Sequence, residues 1–142
     1  MTPNTDRYKR INLDGKSINY TTTSAVDLKG GQIVCLATNG LAVLATAALV
    51  AAGAKLYAVI SQTLGLDKVI KAGDSLTLDY MQEGREFALL VVANTSLTRD
   101  LILTVDAGML KVVADEAPGR AYSVETYTVA AGKPELVRVR IA

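Results

Sequence analysis

From residue 25 onward the apolar residues come in short runs, separated by turn-forming residues at intervals of roughly eight to fifteen residues. That spacing is the pattern of an antiparallel barrel or sandwich. The first pair of runs is Gln32 to Ala37 and Leu41 to Leu44, joined by Thr38-Asn39-Gly40. Asn-Gly is the strongest short hairpin signal, because both residues accept the positive φ angles of a type I′ turn. Ser75 to Met81 alternates, with Leu76, Leu78 and Tyr80 on one face and Ser75, Thr77 and Asp79 on the other, which predicts a half-buried strand. After the polar turn Gln82-Glu83-Gly84-Arg85, the run Glu86 to Ala93 is almost continuously apolar and predicts a central strand covered on both sides. Leu101 to Val105 and Met109 to Val113 bracket Asp106-Ala107-Gly108, a three-residue hairpin loop in which Gly108 supplies the left-handed residue.

In the last hairpin, Tyr122 to Val129 changes phase at Glu125-Thr126, where a β-bulge would restore the facing of both halves. Leu136 to Ile141 alternates Val137, Val139 and Ile141 against Arg138 and Arg140, so the chain is expected to end in a half-exposed cationic edge. Ala45 to Ala54 favours helix by propensity but is too short to hold one alone, and predicts a short helix or a turn-rich crossover. The expected fold is all-β: a small antiparallel barrel or sandwich with at most one or two short helices. A weak internal echo links Leu28-Lys29-Gly30-Gly31 with Ile70-Lys71-Ala72-Gly73, each an apolar-Lys-x-Gly step before a strand. Common turn chemistry explains it as well as duplication does, and the unequal intervals exclude a regular solenoid.

Residues 1–24 differ in character from the single β domain expected over 25–142. They are rich in Thr, Asn, Ser and charge, with Ile11, Leu13, Ile18 and Tyr20 in rough alternation, and read as an extended arm able to contribute an edge strand. Arg7, Lys9, Arg10 and Lys16 outnumber Asp6 and Asp14 there, and Tyr8 lies among the cations. Such a segment is a mobile tail, an arm that orders against a protein partner, or a contact for nucleic acid; arms of the last kind carry denser charge.

The chain of 142 residues is long enough to fold without staples, since a domain of that size buries about 70% of the surface its unfolded form exposes. Half of the residues are apolar and 20% are charged, which leaves apolar surface for an interface unless compact loops absorb it. Fifteen basic and fourteen acidic residues give a net charge of +1, too little to steer nucleic acid or an anionic membrane by a broad field. No charged start precedes an apolar run, and Leu41 to Ala54 falls short of the roughly twenty residues of a spanning helix. Synthesis in a cytoplasm and no membrane partner are the expectations. The one cysteine, Cys35, excludes an intrachain disulfide and reads as buried strand.

The absence of histidine removes the usual general base and, with a single cysteine, the ligands of zinc or copper. Asp115-Glu116, Asp67, Asp74 and Asp79 lack the spacing of a calcium loop. Gly65, Gly73 and Gly84 assemble no phosphate-binding motif. No enzyme, no cofactor and no metal are therefore expected. A small barrel binding single-stranded nucleic acid is the alternative in another class, and it would draw on Tyr8 and its basic neighbours.

The passage Ala25-Val26-Asp27-Leu28-Lys29-Gly30-Gly31-Gln32-Ile33-Val34, with Leu41-Ala42-Val43-Leu44-Ala45-Thr46-Ala47, Leu56-Tyr57-Ala58-Val59-Ile60 and the turn Ala72-Gly73-Asp74, resembles small capsid decoration, or cement, proteins of tailed bacteriophages. The likeness covers residues 25–80, and the stretch from Ala93 to Ala142 departs from the shorter members. It implies a β-barrel or β-tulip domain, often a trimer or dimer, that binds the outer face of an assembled shell and clamps neighbouring capsomers. The implied partner is the major capsid protein, and the implied location is the virion exterior after synthesis in the bacterial host cytoplasm. The segment expected to make the contact is Thr2 to Tyr20, through Arg7, Tyr8, Lys9, Arg10, Ile11, Leu13, Ile18 and Tyr20.

Overall fold

The structure is a computed structural model that describes residues 8, 11–14, 18–60, 69–113 and 119–142. The Thr-rich strand β1 (Asn19–Thr23) is followed by the hairpin β2 (Ile33–Leu36) and β3 (Ala42–Leu44). Thr46 accepts the Leu49 N–H at its hydroxyl and so starts the short helix α1 (Ala47–Ala51), within the segment whose composition favours one. Strands β4 (Tyr57–Ile60) and β5 (Ser75–Tyr80) complete an antiparallel sheet in the order β1-β5-β4-β2-β3.

The second half supplies β6 (Glu86–Val91), β7 (Thr95–Leu97), β8 (Ile102–Asp106), β9 (Met109–Val112), β10 (Ala121–Ser123), β11 (Tyr127–Val129) and β12 (Glu135–Ile141). Five of these close into a barrel in the order β10-β12-β6-β9-β8, and β11 pairs with β7. The fold is thus all-β with one short helix among the described residues.

Several local expectations are corrected. At Thr38-Asn39-Gly40 only Gly40 takes a positive φ (83°), and Ala37 and Leu41 close a three-residue loop whose last residue is left-handed, in place of a type I′ turn. The reverse holds at the next hairpin. Asp106 pairs directly with Met109, so the loop is the two residues Ala107 (φ 51°) and Gly108 (φ 77°), both left-handed as type I′ demands.

Tyr122 to Val129 is not one bulged strand. The Ser123 hydroxyl bonds Glu125 at both its carbonyl and its N–H, and this turn sends β10 into the barrel and β11 to β7. The last strand, β12, is no edge, because it lies between β10 and β6 with Arg138 and Arg140 both bonded to Glu86. The barrel is also not wholly antiparallel: β6 and β9 run parallel and meet at Val91 and Leu110.

That single parallel contact leaves the start of β6 with an open edge, which the N-terminal segment fills. Asn12 bridges Phe87, Leu13 N–H donates to the Glu86 carbonyl (3.1 Å), and Ala88 N–H donates to that of Ile11 (2.7 Å). Ile11 is 2% exposed and belongs to the main core with Phe87, Leu89, Val137 and Val139. The described part of residues 1–24 therefore lies along β6 of the barrel and at the edge of the sheet.

The first sheet curls until its two edges meet. Ser24 bridges Ala42, Ala25 N–H donates to the Ala42 carbonyl (2.9 Å), and the Thr22 hydroxyl donates to the Gly40 carbonyl (2.6 Å). One face of the curl encloses a second small core of Leu28, Val34, Ala42, Val59, Leu76 and Leu78. The other face, with Ile33, Cys35, Ala58 and Ile60, packs into the main core, where burial pushes the Cys35 thiol pKa up. The echoed segments meet in space as well, Leu28 and Ile70 pairing through both backbone bonds (2.9 and 2.6 Å).

Gly108 is one of the points where sheet and barrel join. Its N–H donates to the Ala45 carbonyl and its own carbonyl accepts from Ile33 (both 2.8 Å), while a Cβ there would lie 2.5 Å from Leu44 Cδ2. At Gly40 a Cβ would meet nothing. Urea unfolding should accordingly show Gly40→Ala costing about 1–2 kcal/mol from its left-handed backbone alone, and Gly108→Ala costing about 1 kcal/mol more, because the Leu44 side chain must move aside and the Ile33 carbonyl lies 3.3 Å from the added Cβ. Equal costs would contradict the close junction.

Glu86 carries a second test. Hydrogen bonds from Arg140 (2.6 Å) and then Arg138 (2.7 Å) hold its carboxyl below the ordinary glutamate range. A folded-state pKa below the unfolded one stabilises fully above the unfolded value and is lost as pH falls through the folded one. Between about pH 5 and pH 3 the wild type should therefore lose stability more steeply than Glu86→Gln, by a modest margin because both arginines are partly exposed. Parallel melting-temperature profiles of the two proteins over that range would refute the pairing.

Candidate partner-binding surface

The alternation of β5 puts Asp79 on its polar face, yet Asp79 is fully buried (0% exposed), as is Arg85 (3%) at the following turn. Two such groups can leave water only together, with their remaining donors and acceptors matched. Arg85 donates to both Asp79 oxygens, from Nη1 at 2.7 Å and Nη2 at 3.0 Å, and from Nη1 to the Tyr80 carbonyl at 3.0 Å. Its guanidinium also meets Asp14 at 3.4 Å and lies 4.8 Å over the Phe87 ring. The hydrogen bond to Asp79 is the main cause that raises the Arg85 pKa.

Asp79 accepts two further bonds, from Asn12 Nδ2 (2.8 Å) and from the Ile18 N–H (2.9 Å). Asp14 accepts the Glu86 N–H (3.0 Å). One buried cluster thus pins residues 12, 14 and 18 to the end of the curled sheet and the start of β6.

What this cluster presents outward is aromatic. Tyr20 lies opposite Leu78 and Tyr57 opposite Tyr80, so the three rings share the face that carries Leu78. The Tyr20 and Tyr57 ring centres are 6.2 Å apart and those of Tyr57 and Tyr80 5.4 Å, all tilted. Ile18 and Tyr20 are exposed at 45% and 44%, and with Asn19, Lys55, Tyr57 and Tyr80 they line a shallow depression of about 250 Å³. Partial burial, then the neighbouring Tyr80 and Tyr20, raise the Tyr57 pKa. Among the described residues the strand bearing Tyr20, β1, has β5 as its one strand neighbour.

The structure divides the residues expected to contact a partner. Arg7, Lys9 and Arg10 lie outside the described residues. Tyr8 is half-buried and donates its hydroxyl to Glu125 (2.7 Å), Ile11 is core, and Leu13 packs half-buried against that core. Burial takes Ile11 out of reach of a partner. Ile18 and Tyr20 alone among the described candidates are exposed large apolar or aromatic side chains.

Tyr57, Tyr80 and Lys55, outside the segment expected to make the contact, join them. The alternation around Tyr80 marks its face, but its pairing with Tyr57 depends on β4 lying next to β5. Among the described residues no group of three or more His, Cys, Asp or Glu side chains is placed to hold a metal ion, and no helix is long and apolar enough to cross a membrane. Comparison with protein-family models and with curated proteins finds no match.

The Asp79–Arg85 cluster can be tested directly. Arg85→Met leaves Asp79 buried without its cation and should lower the unfolding free energy by roughly 3–5 kcal/mol. Urea unfolding monitored by tyrosine fluorescence reads this, and a loss below about 1 kcal/mol, the range of exposed pairs, would deny the cluster its role.

Proposed function

We propose that this chain is a structural attachment protein that docks on other protein through the surface of Ile18, Tyr20, Tyr57 and Tyr80, and that its partner is the outer face of an assembled bacteriophage capsid. The observation that carries the reading is the exposure of Ile18 and Tyr20 on a rigidly anchored edge strand. Tyrosine is enriched where protein interfaces concentrate their binding energy. Anchoring by the buried cluster lowers the entropy lost on docking.

The choice of a capsid as partner is supported by the resemblance of residues 25–80 to phage decoration proteins. On a shell, many copies each making a modest contact act together, so a small surface suffices. Self-association as a dimer or trimer belongs to the same reading. The nucleic-acid alternative is weakened at Tyr8, which is half-buried against the main core and so offers less of its ring for a base to stack on.

Co-sedimentation with empty shells of the phage tests the proposal. The wild-type chain should bind, and its affinity should change by less than about threefold between 50 and 200 mM salt, because few charges are neutralised. The variant Ile18→Asp/Tyr20→Ser should bind at least about tenfold more weakly with an unchanged melting temperature. Failure of the wild type to bind shells, or steep salt dependence with preference for single-stranded DNA, would overturn the reading.

A further inference from the structure

A separate cleft of about 560 Å³ opens between the turn at residues 27–32 and the loop leading into β12. Its size falls in the range of small-molecule sites. Val69, Leu90, Met109 and Leu136 give it apolar walls, and Asp27, Lys29, Lys133 and Glu135 bring charge to it.

The two signs are not equally available. The Asp27 carboxylate accepts the Ala72 N–H (2.9 Å) and faces Lys71 (3.9 Å). Glu135 is buried and accepts the Tyr127 hydroxyl at 2.6 Å. Lys29 and Lys133 form no ion pair among the described residues. Among the described residues the cleft therefore offers two cations without an ion pair beside an apolar wall.

The backbone of the walls is already committed. Leu28 bonds Ile70 in both directions, Gly31 donates to Val59 and accepts from Leu90, and Gln32 accepts from Val59. An added strand would find no open ladder there, which favours a compact occupant held by side chains over an extended peptide. We propose that this cleft binds a small amphipathic carboxylate, with its apolar body against Val69, Leu90 and Met109 and its anionic head in reach of Lys29 and Lys133. The inference does not depend on the docking surface, which lies on other residues.

Amide chemical-shift titrations of the full chain with sodium octanoate, 1-octanol and sodium acetate test it. Octanoate should give saturable shifts centred on Gly30, Gln32 and Leu90, should bind about fivefold more tightly than octanol, and acetate should not bind at matched concentration. The exposed double variant Lys29→Gln/Lys133→Gln should bring octanoate to the affinity of octanol and leave octanol unchanged. Shifts that fall on Tyr20 and Tyr57 or scatter over the surface, equal affinities for octanoate and octanol, acetate binding as well as octanoate, or indifference to the double variant would each overturn the proposal.

Discussion

The guanidinium of Arg85 stands between the carboxylates of Asp79 and Asp14 in a place from which water is largely excluded, and the described N-terminal residues take their positions from that cluster. Such a pair is a poor source of net stability, because the desolvation of both charges offsets much of their attraction. Its effect is on arrangement. Once Asp79 is buried, only a backbone path that delivers Arg85, Asn12 and the Ile18 N–H to it leaves no charge or acceptor unmatched. The cluster joins the curled sheet, which owns Asp79, to the barrel, whose β6 begins next to Arg85.

The sheet and the barrel therefore behave as one body with a shared core. Ile11 accepts the Ala88 N–H of β6 and lies in the main core, Gly31 bonds Val59 in the sheet and Leu90 in the barrel, and Gly108 reaches from the β8–β9 turn to Ala45 and Ile33. Each junction is made through backbone or through a fully buried side chain, which permits little independent motion. An attachment protein benefits from that rigidity. Ile18 and Tyr20 are presented in one geometry, so docking does not have to order them first.

Much of this architecture can be read in the sequence, and what is hidden there is hidden for identifiable reasons. Hairpins close at Gly40 and Gly108 because left-handed backbone has a strong residue signature, but the number of loop residues depends on which flanking pair hydrogen-bonds. The phase change at Glu125-Thr126 is visible, whereas its resolution into two strands of different sheets is set by the Ser123 turn and by β7 waiting as a partner. Ile11 looks like an isolated apolar residue in a polar tail. Its burial follows from the edge that β9 leaves open on β6, a tertiary fact with no local trace. Asp79 alternates as a solvent residue should, and its burial depends on Arg85 together with the distant Asn12 and Ile18 N–H, partners that the local pattern does not show. The aromatic surface was half legible: Ile18 and Tyr20 stand out as apolar residues in a polar stretch, while Tyr57 and Tyr80 join them through a pairing between strands separated by 61–74 in the chain.

Hydrogen exchange of the chain, free and bound to empty capsids, bears most directly on the claim that the anchored aromatic edge is where the partner docks. The account predicts added amide protection in Asn19–Thr23 and at Tyr57 and Tyr80, with the barrel strands β8, β9 and β10 unchanged. Protection confined to the barrel, with β1 exchanging as in the free chain, would contradict it.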